Sequence, residues 1–110
     1  MPERVLTVHA ELTTAGVEVF SPGGRRSWRI DAIYIANRDG SDRTVTIHHL
    51  KADETTATNA SILLKTGTVP TLDTLDLELT SPIYLQPDES ITMVASADST
   101  LVAHVSASEL

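Results

Sequence analysis

A chain of 110 residues fits one domain, and at this size folding hides about two-thirds of the surface that the unfolded chain exposes. It holds no cysteine, so disulfides, thiolate metal sites and cysteine nucleophiles are excluded within it. The net charge of −7 and a pI near 4.8 argue against nucleic acid or an anionic membrane as the main partner, because binding phosphate requires neutralising lysines and arginines.

The charge is unevenly placed. Residues 1–51 carry seven basic and six acidic side chains, a net of +1; residues 52–110 carry one basic residue, Lys65, and nine acidic ones, a net of −8. A polarised chain of this kind has the material for complementary patches between copies. No apolar run approaches the roughly 18 residues of a membrane span. Met1-Pro2-Glu3-Arg4 lacks the basic segment and apolar run of a signal peptide, so synthesis and assembly in a cytosol are expected.

Strand patterns dominate the chain. Val5 to Leu12 alternates, with Leu6, Val8, Ala10 and Leu12 on one face. A turn at Thr13-Thr14-Ala15-Gly16 precedes a short strand, Val17 to Phe20, and Ser21-Pro22-Gly23-Gly24 breaks the chain. Trp28 to Asn37 is the most strand-like stretch. Strict alternation puts Ile30, Ala32 and Tyr34 on one face and Ile33 and Ile35 on the other, a pattern expected of a central strand or one covered by a partner. Asp39-Gly40 suits a tight hairpin turn into a strand from Arg43 to Leu50.

Residues 52–60 are polar and read as a loop. Ser61 to Lys65 is a short strand, and Thr66 to Pro70 a second break. Leu75, Leu77 and Leu79 alternate with Asp76 and Glu78. Ile83-Tyr84-Leu85 ends at a Pro87-Asp88-Glu89 turn, and strands over Ile91–Ala95 and Leu101–Ala107 complete the chain. Short strands at roughly ten-residue spacing predict an all-β fold: a single-domain β-sandwich of the jelly-roll or Greek-key type over residues 1–110, with about eight antiparallel strands. The predicted core is Ile30, Ile33, Ile35, Val45, Ile47, Leu77, Ile91, Met93 and Val105.

No catalytic constellation emerges. His9, His48, His49 and His104 lack metal-ligand spacing, and adjacent His48 and His49 point to opposite strand faces. Gly23-Gly24-Arg25-Arg26 leads into a strand and not into the helix that a phosphate loop requires. The carboxylate pairs Asp53-Glu54, Asp76/Glu78 and Asp88-Glu89 read as solubilising charge, and Asp39 and Asp42 lack EF-hand spacing. No GxSxG elbow occurs. Asn59-Ala60-Ser61 matches a glycosylation sequon, and without a signal peptide it is expected to stay unmodified. Arg25, Arg26, Trp28 and Arg29 are residue types enriched at protein interfaces and form the candidate contact patch; Trp28, the only tryptophan, reads first as core and second as an interface anchor.

The strand Trp28–Asn37 ending in Ala-Asn, the polar strand Arg43–Leu50, the leucine-rich strand, the Leu85-Gln86-Pro87-Asp88-Glu89-Ser90-Ile91 segment and Ala95-Ser96-Ala97 follow one another in an order that resembles small β-sandwich virion proteins of tailed bacteriophages. These serve as capsid cement (decoration) or as head–tail and tail accessory proteins. The resemblance spans about residues 28–107 and carries over no functional residue. It implies a non-enzymatic structural protein of the virion, most of all a capsid cement protein. Its partners would be its own copies, often as a trimer, and the major capsid or other virion proteins. No cofactor, nucleic acid, membrane or small-molecule substrate is expected. The alternatives are a neck or tail protein, or a carbohydrate- or cell-surface-binding module. A cupin-type enzyme needs clustered histidines that the spacing does not supply.

Overall fold

The computed structural model describes residues 5–21, 25–54, 56–58, 61–77 and 83–110. The expectations for Met1–Arg4, Pro22–Gly24, the Asn59 sequon, and Glu78 and Leu79 lie outside the described residues. Nine strands occur among the described residues: β1 (Val5–Glu11), β2 (Val17–Phe20), β3 (Trp28–Asn37), β4 (Arg43–Leu50), β5 (Ile62–Val69), β6 (Thr74–Leu77), β7 (Ile83–Leu85), β8 (Ser90–Ala95) and β9 (Leu101–Glu109).

They form two antiparallel sheets, in the all-β sandwich expected. Sheet A runs β1-β9-β3-β6, with β7 also on β3; sheet B runs β2-β8-β4-β5. β6 pairs with Ile33–Ala36 and β7 with Trp28–Ile30, so the two lie one after the other along the side of β3 that β9 leaves open. The inner faces meet in one continuous apolar core. Leu12, Ile30, Ile33, Ile35, Leu85, Leu101 and Val105 from sheet A and the segments beside it pack on Val45, Ile47, Val69, Ile91 and Met93 from sheet B, all fully buried. Of the predicted core, only Leu77 falls short: it is half-buried on the edge strand β6.

Three features depart from the sequence reading. The first is the facing of β3. Its pairing with β9 shifts by one residue between Ile30 and Ala32, a β-bulge at Asp31. Trp28 and Ile30 before the bulge, and Ile33 and Ile35 after it, therefore all face the core. The apolar residues that strict alternation spreads over two faces occupy one, and no partner is needed to cover them.

The second is the Asp39-Gly40 hairpin, which does not form. β3 pairs only within sheet A and β4 only within sheet B, so residues 38–42 carry the chain from one sheet to the other. The Asn37 side chain shapes this corner. Its Nδ2 donates to the Ser41 carbonyl (2.9 Å) and to the Val69 carbonyl on β5 (3.0 Å), and its Oδ1 accepts from the Asp39 N–H (2.8 Å). Gly40 has no positive φ; Gly16, between β1 and β2, has one of 100° and is the glycine that its turn requires.

The third is β5, which continues to Val69 through Thr66-Gly67. Register shifts against Val45, Ile47 and His48 absorb the irregularity that reads as a break in the sequence.

Candidate functional site

The sequence-predicted patch divides on folding. Trp28 is only 3% exposed, and its ring meets Phe20 edge-on with centroids 5.6 Å apart. Its side chain belongs to the core of the single chain and offers no contact surface. Its place is structural: Phe20 ends β2 in one sheet and Trp28 opens β3 in the other, so the ring pair packs one sheet against the other. Ser27 is held as well, since its carbonyl accepts from the Leu110 N–H at 2.9 Å.

Arg29 is half-exposed and donates through Nε to Asp31 Oδ1 at 2.7 Å. Asp31 also accepts from the Ser108 hydroxyl at 2.6 Å. The Ser108 hydrogen bond, against the cost of burial and with help from Arg29, holds the Asp31 carboxyl below its usual range. Arg25 and Arg26 remain as the exposed part of the patch.

Other candidate residues serve the fold. Asp39 ion-pairs with Arg43, and Asp42 Oδ1 accepts from the Thr71 N–H at 2.8 Å, so both aspartates brace the 38–42 crossing. His48 is buried and its Nδ1 lies 3.0 Å from the Ser61 hydroxyl. His49, on the opposite face, places Nε2 2.9 Å from Glu89 Oε1. Burial raises the Glu89 pKa, but the Gln86 N–H and His49 outweigh it and hold the carboxyl below the ordinary value. His9 and His104 are cross-strand partners with ring centroids 5.7 Å apart. Among the described residues no group of three or more histidine, aspartate or glutamate side chains is arranged to hold a metal ion. Among the described residues there is no helix long and apolar enough to cross a membrane.

A cleft on the outer face of sheet B was not anticipated. Its volume is about 470 Å³. Glu18 of β2 and alternate residues of β8, Ser90, Thr92 and Val94, form the floor, and the β1–β2 turn at Ala15 and Gly16 closes one end. Leu50 at the end of β4 and Glu54, Thr56 and Ala57 in the segment after it make the far wall. Glu54 is set by local structure: its Oε1 accepts from the Lys51 N–H at 2.9 Å. Among the described residues, two carboxylates and three hydroxyls line the cleft, and no basic residue does. The outer face of sheet A is different in kind, with Tyr34 (41% exposed) and Tyr84 (51%) on it.

No family model matches the chain, and no curated protein matches it. Among solved structures, the fold is similar to a chain from Bacillus endospore appendages, described as a novel family of disulfide-linked pili. The match covers 98% of this chain and 84% of that one, with a TM-score of 0.55 and 9% sequence identity. At that identity the likeness is one of fold.

Proposed function

We propose that this chain is a non-enzymatic structural subunit that works by protein–protein contact, chiefly with copies of itself, in a repetitive assembly. The observation that carries this reading is the similarity to the endospore appendage chain, which extends over 98% of this chain and 84% of that one. The capsid cement role implied by the sequence resemblance is a narrower form of the same reading, with a virion as its setting and the major capsid protein as a further partner. A neck, tail or appendage subunit is the same chemistry in another setting.

One difference from that neighbour has a direct physical consequence. The appendages are described as disulfide-linked, whereas these 110 residues hold no cysteine. Association through them is non-covalent, carried by buried apolar contact, with charge setting encounter rate and register.

The test is sedimentation and negative-stain imaging of the purified chain over a range of concentrations. Concentration-dependent growth into regular particles supports the reading, and a monomer at every concentration refutes self-assembly. Imaging of purified virions then decides the narrower setting by whether the chain is present at high, lattice-like copy number. Glycan binding is the second reading, favoured by the exposure of Tyr34 and Tyr84 on one sheet face, since sugar rings stack on aromatic side chains. Saturable glycan binding lost in Tyr34→Ala would favour it.

A further inference from the structure

We infer that the Arg25–Arg26 turn of one copy docks in the Glu18/Glu54 cleft on the outer face of sheet B of the next copy. The inference rests on the reading of the chain as a self-assembling subunit and supplies the contact.

The argument starts from an accounting of charge. Among the described residues, Arg29, Arg38 and Arg43 each hold a carboxylate of their own chain: Asp31, Glu11 and Asp39. Arg25 and Arg26 hold none, although they are adjacent and exposed. Glu18 is likewise exposed and has no cationic partner among the described residues. Glu54 uses Oε1 on the Lys51 N–H, which leaves its second oxygen for another donor. The chain thus presents two unmatched cations in one place and two receptive carboxylates in another.

Shape agrees with charge. A cleft of about 470 Å³ lies within the range of roughly 300–1,000 Å³ that accepts a small ligand or a few side chains. Leu50 and Val94 offer apolar surface to the arginine stems, while Thr56 and Thr92 offer hydroxyl oxygens to guanidinium N–H groups. Neither arginine lines the cleft of its own chain, so the contact is between copies. Ser27, next to Arg26, is fixed by the Leu110 N–H, which lowers the entropy lost when Arg26 docks.

Turn and cleft are different patches, so the contact is head-to-tail. Such a contact does not terminate at two copies; it closes into a ring or grows as a filament according to the rotation between neighbours.

Charge reversal tests this on the full chain. Two variants are made, Arg25→Glu with Arg26→Glu, and Glu18→Lys with Glu54→Lys. Each is expected to weaken self-association at least about tenfold at low salt while unfolding at the wild-type temperature. An equimolar mixture is expected to regain assembly, because each reversed turn then meets a cleft of opposite sign. If the Glu54 substitution loosens the loop, Glu18→Lys alone with the arginine variant serves the same comparison. Wild-type assembly that both reversals leave unchanged overturns the contact but not the assembly reading. So does a mixture of folded variants that stays dissociated. A wild-type chain that is monomeric throughout overturns both.

Discussion

Asn37 holds the two sheets together at one corner, because it sits on β3 of sheet A and donates to the Val69 carbonyl of β5 in sheet B. It is 4% exposed, so water cannot replace its three hydrogen bonds. Asn37→Ala should cost about 1–3 kcal/mol, the penalty for leaving buried backbone groups without partners, measured as a shift in the urea midpoint. Asn37→Asp should not rescue it, since a carboxylate cannot donate to the two carbonyls. Leu72 presents the opposite case. It stands at the β5–β6 turn with φ of 53°, a conformation that disfavours bulky side chains, and is 75% exposed. Leu72→Asn should therefore raise stability by about 1 kcal/mol, since asparagine tolerates that backbone region and little packing is lost. A lower melting temperature for this variant would mean that the side chain is engaged.

Between strands, the bulge on β3 decides which substitutions matter. Ile35 is fully buried beyond the bulge, so Ile35→Ala should cost about 2–5 kcal/mol, whereas Leu77→Ala on the half-buried edge should cost clearly less. Chemical denaturation of both variants measures the difference. Strand existence was legible from alternation, and β2 and β3 have the bounds that their residues suggest. Facing and pairing were not. Alternation assumes an unbroken period of two, and one inserted residue at Asp31 inverts the remainder of the strand. The Asp-Gly signal failed because it describes only local turn preference, while the crossing between sheets is decided by Asn37 and Val69, 32 residues apart. The exposed arginines could be read from composition. The cleft could not, because it joins β2, β8 and a loop that the chain order keeps far apart. Acid sensitivity also belongs to this scale, since Glu89 links the β7–β8 turn to β4 and Asp31 links β3 to β9. Both carboxyls titrate below their ordinary values of 4.5 and 3.8. A lowered folded pKa gives stability that is complete above the unfolded value and is lost as pH falls through the folded one. Denaturant midpoints should thus hold steady from neutral pH down to about 5 and fall below that. In Glu89→Gln the acid decline should be shallower.

Across the whole molecule, the absence of cysteine makes one further outcome definite. Assemblies of the chain should be indifferent to reductant and should collapse to monomers in SDS without it, as read by gel electrophoresis with and without dithiothreitol. Bands that persist in SDS and vanish with reductant would point to a cysteine-bearing partner. The place of β9 has a consequence of its own. The strand runs between β1 and β3, pairing with the first through Val5–Ser108 to Glu11–Val102 and with the other along nearly its full length. Sheet A is thus built around the strand that comes last in chain order among those described. Until it emerges, β1 and β3 lack the strand that joins them, whereas the described strands of sheet B are already present. The Thr7–Ser106 hydrogen bond closes a loop of 99 residues, so refolding should fall in the millisecond-to-second regime of non-local β topologies rather than in microseconds. During synthesis the exposed edges of β1 and β3 are protected only by the speed with which β9 follows them.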